Sequence, residues 1–512
     1  MHATVCSTSR EVLQKVLRSP RDGLFGARDR EKLSPAMLMR RQFRKALPLL
    51  FPLLVVVIFV STLTSVHDRA GKLAKSLGRS LSKSHGDISI ESQAGFVLQN
   101  AADDLDNEKN GTKTDAIEDE GEDVYIIPDR GNYRELFSLT TRDRKFIPIF
   151  LDGDVAYNPN IIPHPTKYDL WIVVAQHEQS GQGLKPSGQL TCTAGFLNGV
   201  LVCTETPTIM PISESIYGIC EGDLAVYNFR LGPRDGRMFY GPGVPYIAYG
   251  SQSQYTCLGI WIQDIRTLLE PFHLEQDTLG NIFKGATELR RPAPWKGVEK
   301  NFFVFWDSSG KAYAHHDIYP NRVFAQIDMD GTVGPDLAPA IAKKDQVCMA
   351  QYMPAVTFKQ ETIHQATNSL SITLCKRKDP KCVPSDSNTF IMHLFHHKSY
   401  WDYHGVYEPY VLLFQQAPPF AIHSISQRPL WIYGRNALTR ETRALQYEGR
   451  EEYIPEGHTE MFYMTSISWR THGQKYHGYI DDPLLLAFGI EDSRSAIMDV
   501  LAGDLLQDLA YC

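Results

Sequence analysis

The apolar positions of this chain fall into two patterns. The first is an unbroken run, Ala46 to Val66 (ALPLLFPLLVVVIFVSTLTSV), with no charge inside it and Arg40, Arg41, Arg44 and Lys45 directly before it. About 20 apolar residues at the rise of an α-helix match the hydrocarbon thickness of a bilayer, so the run predicts a transmembrane helix. It starts too far into the chain and is too long for a cleaved signal peptide. Residues 1–45 carry eleven Lys/Arg against four Asp/Glu. By the positive-inside rule that tail stays cytosolic and the chain beyond Val66 is lumenal, a single-pass type II signal-anchor. A buried core helix is the competing reading, since Pro48 and Pro52 suit either environment.

The second pattern begins after a break. Residues 67–125 are rich in Ser, Gly, Lys, Asp and Glu with few aromatics, too little apolar surface to offset ordering entropy, and read as a disordered lumenal stem. From residue 126 to 512, short β-branched and aromatic runs alternate with Gly, Pro and polar turns: YDLWIVVAQ (168–176), VPYIAYG (244–250), CLGIWIQDI (257–265), NFFVFWDSSGKAYAHHDI (301–318), TFIMHLF (389–395), PYVLLFQQ (409–416) and EMFYMTSISW (460–469). This predicts an all-β domain. Four or five such units closing radially would form a β-propeller, which removes most exposed sheet edges. A two-sheet sandwich is the alternative. The C-terminal SRSAIMDVLAGDLLQDLAYC reads either as an amphipathic segment or as the strand closing the last unit.

Charge and cysteine usage narrow the class. With 52 Lys/Arg against 59 Asp/Glu the net charge is -7, which gives no basic footprint for nucleic acid. Beyond Cys6, eight cysteines lie past the predicted anchor, an even number that in an oxidising lumen reads as disulfides. Cys192 with Cys203 and Cys375 with Cys382 are candidate local pairs; buried free thiols are the alternative. No pair has zinc-finger spacing. Asn110-Gly-Thr112 is a glycosylation sequon in the polar stem.

Five segments could carry chemistry. Gly232-Pro-Arg-Asp-Gly-Arg237 puts Asp235 between Arg234 and Arg237 in a tight turn before a strand, where guanidinium groups orient a carboxylate or grip phosphate; a surface salt bridge would look the same. Glu299-Lys300-Asn301 starts an apolar strand, so alternation turns one or two of these groups toward a common centre; a plain strand cap is the alternative. The histidine- and aromatic-rich stretches around His316-Asp317 and His396 to Glu408, including His404 and Glu408, suit a carbohydrate better than a metal, because aromatic faces stack on sugars and polar tips bind hydroxyls. Glu460 with Tyr476, His477, Asp481 and Asp482 forms a fourth group that could hold a donor sugar or shape a turn. Asp152-Gly-Asp154 and Asp328-Met-Asp330 have the D-x-D form of metal-dependent sugar transferases, but no alternating βαβ pattern surrounds them.

The anchor together with GPRDGR, EKN, HHDIYPNR and the terminal FYMTSISW…YHGYIDD…AFGIED resembles the fungal β-1,2-mannosyltransferases, and more distantly the five-bladed β-propeller mannoside phosphorylases and their mannosyltransferase relatives. The likeness spans about residues 140–512. It implies a five-bladed propeller, a catalytic aspartate at Asp235, a sugar pocket bordered by Glu299, Lys300 and Asn301, and no cofactor or bound metal. The implied reaction moves mannose from GDP-mannose to a mannan or glycolipid acceptor with inversion to a β-linkage, in the Golgi membrane. Asp235 would transfer the proton, while Arg234, Arg237 and Lys300 offset charge on the leaving phosphate. Gly236 departs from the Pro or Ala common in the relatives and predicts a looser turn. A non-catalytic lumenal lectin, needing the aromatics but not the Asp235 carboxylate, and a metal-dependent D-x-D enzyme are the other function classes.

Overall fold

A computed structural model describes residues 130–153, 155–178, 187–275, 283–401, 404–438 and 458–512. The predicted anchor, the stem, Asn110, Cys6 and Asp154 lie outside the described residues. Among the described residues no helix is long and apolar enough to cross a membrane.

The domain is all-β and propeller-like. Five antiparallel meanders succeed one another along the chain. The first runs through Ala156–Pro163, Trp171–Glu178, Ser187–Leu197 and Val200–Cys203. The second holds Arg234–Tyr240, Pro245–Gln252, Leu258–Asp264 and Thr287–Leu289, and the third Phe303–Trp306, Ala312–Asp317 and Val323–Gln326. The fourth holds Glu361–Thr373, Thr389–Trp401, His404–Gln415 and Ile422–Ser426. The fifth takes Phe462–Trp469, Pro483–Ile490 and Arg494–Leu501 from the C-terminal end and is completed by Ile147–Phe150 from the other end of the domain. The same short strand pairs in parallel with Val200–Cys203, stitching the fifth meander to the first.

Local chemistry explains these elements. Pro245–Gln252 and Pro483–Ile490 are buried along almost their whole length, as expected of near-continuous apolar runs covered on both faces. Asn198 and Gly199, both with positive φ, form the two-residue turn between Leu197 and Val200, the geometry that matches strand twist in a hairpin. The C-terminal stretch divides in three: Arg494–Leu501 is a strand of the fifth meander, Ala502–Leu505 one helical turn, and Leu509–Tyr511 an added edge of the fourth. An α-helix at Ala342–Tyr352 was not expected; its buried Asp345 accepts from Arg322 at 2.7 Å and from the Ile422 N–H at 3.0 Å. All eight cysteines beyond Cys6 pair: Cys192–Cys203 and Cys375–Cys382 as the spacing suggested, then Cys220–Cys257 and Cys348–Cys512.

The innermost strands are joined in a ring by side chains. Asn160 of the first donates to the Gly236 carbonyl of the second at 2.7 Å. Arg237 of the second donates to Asn301 Oδ1 beside the third at 3.0 Å, and Gln365 of the fourth donates to the Asn301 carbonyl at 2.8 Å. Asn368 of the fourth exchanges two 3.0 Å bonds with Ile467 of the fifth. Thr465 of the fifth donates to the Pro159 carbonyl of the first, closing the circle.

Candidate active site at the start of the inner strands

Near these joints four of the five inner strands depart from regular pairing, and the third is preceded by a residue with positive φ. Register shifts occur at Tyr157/Asn160, Arg234/Arg237, Gln365/Ser369 and Met464/Ser466, and Asn301, just before the third, has φ 62°. Bulges of this kind re-aim side chains and gather beside active sites.

The GPRDGR segment is the most constrained. Gly232 has φ 78°, and a Cβ there would strike the Ser187 carbonyl. Asp235 has φ 48° and an exposed side chain; Asp tolerates that left-handed conformation better than most residues. Its N–H donates to Gln176 Oε1 at 2.8 Å, and the buried Gln189 amide donates to the same oxygen at 2.9 Å and to the Pro233 carbonyl at 3.2 Å. A Cβ on Gly236 would strike the Gln189 amide. Gly236 is therefore a site of close approach, opposite to the looser turn expected. Gly236→Ala is expected to displace Gln189, destabilise the domain by about 1–3 kcal/mol and lower turnover more than substrate affinity; denaturant unfolding and steady-state kinetics check both.

Arg237 is 5 % exposed. Its guanidinium donates to the carbonyls of Ala366 at 2.6 Å and Asp235 at 3.2 Å, to Asn301 Oδ1 and to the Tyr463 hydroxyl at 3.2 Å. It thus braces the Asp235 backbone rather than its carboxylate, and among the described residues no carboxylate lies within 4 Å of it. Lys398 stands over the Tyr400 and Tyr407 rings at 4.7 and 5.1 Å. Burial, then repulsion from Lys300, pull the Lys398 ammonium below its ordinary range, with Asp492 opposing. Tyr407 packs on Tyr463 with centroids 5.0 Å apart; burial raises both phenols, and the negative charges of Asp235 and Asp492 add to that. His364 is lowered to about 4, first by burial and then by Lys398, Lys300 and Arg237. Asp235, Arg237, Lys300, Lys398, Asp492 and the two tyrosines therefore share one electrostatic neighbourhood.

The remaining expected residues separate into groups. Arg234 is half-buried opposite Gly250. Glu299 and Asp317 meet on Arg291, at 3.1 and 2.7 Å, and Lys296 also binds Asp317 at 2.6 Å; burial leaves the Glu299 carboxyl raised despite these partners. His316 is buried against Phe302, not turned to solvent, and burial lowers it to about 3. His404 is buried between Glu491 at 3.1 Å and His458 at 3.3 Å. Glu408 accepts from the Tyr133 hydroxyl and pairs with His397, while Glu460 pairs with Arg494 at the rim. Tyr476, His477, Asp481 and Asp482 lie toward the far ends of the inner strands, with Tyr476 buried on Trp306 and Asp482 gripped by Arg377. Asp152 sits on an exposed turn with Gly153, and Asp328 and Asp330 shape a hairpin turn. Among the described residues no group of three His, Cys, Asp or Glu is placed to hold a metal. Lys398 and Tyr407 fall within the expected His396–Glu408 stretch, whereas Gln176, Gln365, Tyr463 and Asp492 were not singled out as site residues.

Solved structures with related outlines are carbohydrate-processing enzymes. A β-1,2-mannobiose phosphorylase from Listeria innocua is 11% identical, with 73% of this chain and 96% of that chain covered and a TM-score of 0.38. A mannose phosphorylase from Leishmania mexicana is 10% identical over 69% of this chain and 86% of that one, with a TM-score of 0.34. A glycosyl hydrolase from Bacteroides ovatus is 12% identical over 71% and 93%, with a TM-score of 0.38. All three act on sugars by name. No protein-family model matches the chain, and no curated protein matches it.

Proposed function

We propose that this protein is a type II membrane-anchored β-mannosyltransferase with a five-bladed propeller head, which moves mannose from GDP-mannose to a mannan or glycolipid acceptor in the Golgi lumen. The observation that carries the reading is one exposed carboxylate, Asp235, held on a braced left-handed turn inside a neighbourhood dominated by Arg237, Lys300 and Lys398. The sequence supports the rest: GPRDGR and EKN match the mannosyltransferase pattern, and the apolar run of 46–66 gives the address.

In this reading the acceptor hydroxyl attacks the anomeric carbon from the face opposite the diphosphate. The new C–O bond forms as the bond to phosphate breaks, GDP leaves with the electron pair, and the hydroxyl proton passes to Asp235 directly or through an intervening sugar hydroxyl. Arg237, Lys300 and Lys398 offset the charge that develops on the diphosphate. An α-linked donor thereby yields a β-linked product. The same cations would also suit inorganic phosphate, so phosphorolysis of a β-mannoside is the second reading.

Full-length protein in detergent is given GDP-mannose with a mannose-terminated acceptor, with and without chelator, and in parallel β-1,2-mannobiose with inorganic phosphate. Chelator-insensitive transfer with a β-anomeric product by NMR is the expected result. Mannose 1-phosphate from the second reaction alone would select phosphorolysis; chelator-sensitive transfer would move attention to D-x-D, and turnover in neither reaction would favour a lectin.

A further inference from the structure

A second concave site lies at the opposite end of the ring. It has a volume of about 1080 Å³ and is bordered by Pro242, Asp307, Ser371 and Thr471, each at or just beyond the end of an inner strand, whereas Asp235, Asn301 and Tyr463 stand at the starts. Six residues along one strand lead from Tyr463 to Trp469, roughly 20 Å at about 3.3 Å per residue, and Thr471 lies just beyond. Trp306, the last residue of its inner strand, packs on Tyr476 of the cleft wall at 5.0 Å and on Tyr246 at 5.9 Å.

The chemistry of this cleft differs from that around Asp235. Its charges are largely consumed internally. Asp482 takes two bonds from Arg377 at 2.8 and 2.6 Å and one each from Gln474 and the Tyr479 N–H at 2.8 Å. Asp307 accepts from Ser309, from the Lys311 N–H and from the Tyr313 hydroxyl, and Lys475 donates to the Gly243 carbonyl at 2.6 Å. Burial pushes the carboxyls of Asp307 and Asp482 up, but these bonds outweigh it and both sit low. The rest of the wall is mainly neutral, with Ser308, Thr471, Gln416, His477 and Tyr479, and Asp386 as one further carboxylate; Ser371 donates to Gln416 Oε1 at 3.1 Å and Thr389 Oγ1 meets Thr373 Oγ1 at 2.8 Å. Such a lining offers many neutral donors and acceptors and no open cationic cluster for a diphosphate. Just above the roughly 300–1,000 Å³ typical of small-molecule sites, the cleft has room for several hexose units.

We propose that this rear cleft, at the opposite ends of the inner strands from Asp235, is a second, non-catalytic binding site for a neutral oligosaccharide. A polymeric acceptor would be retained there between turnovers, adding avidity without touching the reacting bond. Only the choice of mannose units rests on the proposed function.

Calorimetric titration of Asp235→Asn protein with linear mannohexaose tests the site while turnover is suppressed. Binding is expected, and Ser308→Trp or Thr471→Trp, each filling the cleft from an exposed turn, is expected to weaken it by at least about tenfold. Lys300→Ala at the other end is expected to leave it unchanged. In protein retaining Asp235 the two Trp variants should keep transfer to a disaccharide within about twofold, because the ends share no partners, while raising KM for polymeric mannan. Binding that survives both Trp substitutions, or is absent altogether, overturns the proposal. Retained binding in a protein that shows no transfer would sink the transferase reading and leave the rear site standing.

Discussion

Asp235→Asn is expected to lower the proposed mannosyl transfer by on the order of a thousandfold, the middle of the range for removing a positioned proton acceptor, while the thermal unfolding curve stays in place. The two halves of that expectation come from different atoms. The structural bond at this position is made by the backbone N–H to Gln176, and Asn adopts the left-handed conformation as readily as Asp, so φ 48° is retained. Only the proton-accepting oxygen is lost. Transfer within about tenfold of the parent, with the fold intact, would remove Asp235 from the chemistry.

The second large effect is on stability in acid. His316 and His393 are 2 % and 0 % exposed, the His316 ring nitrogens make no hydrogen bond among the described residues, and burial lowers each to about 3, with the Asn368 and Thr367 backbone opposing it at His393. His393 is stacked on Phe303 at 3.9 Å. Between pH 6.5, where an unfolded imidazole titrates, and pH 3 the unfolded chain binds more protons than the folded one. Stability therefore rises with pH through that window and is lost as pH falls below 6.5. At pH 5 the loss is about 2 kcal/mol for each of the two, about 4 kcal/mol together, against a typical total of about 5–15 kcal/mol. His315 and His396, fully buried and also lowered, act in the same direction. The carboxylates of Glu408 and Asp482, which partners hold low against burial, contribute only at more acid pH. Urea midpoints measured at pH 7.5 and pH 5 should fall clearly; equal midpoints would show that these rings find protons or partners in the folded state.

The same histidines show where sequence reading stops. TFIMHLF is legible as a strand, and so are the other six runs, because alternating β-branched and aromatic residues bounded by Gly and Pro leave few other options. A His-rich strand reads as a sugar surface only if one face is open. Here the strand is covered on both faces, so His393 and His396 became core and His316 with them. Asp235, Lys300 and Asn301 were legible because Gly and Pro bracket the first and a strand start orients the others. Their partners were not: Gln176 lies 59 residues before Asp235 and Tyr463 lies 226 after Arg237. Such joints depend on which strands become innermost and how they close, which no local pattern records. Ile147–Phe150 escaped for another reason, being four residues long with a proline inside.

That short strand sets an order on biogenesis. It leaves the ribosome before any of the five meanders, yet its antiparallel partner, Arg494–Leu501, follows about 350 residues later. The circle cannot shut before that partner has emerged, and loop closure over some 350 residues is slow by topology. Until then, that early strand and both edges it will cover stay open to chaperones, or to another nascent copy.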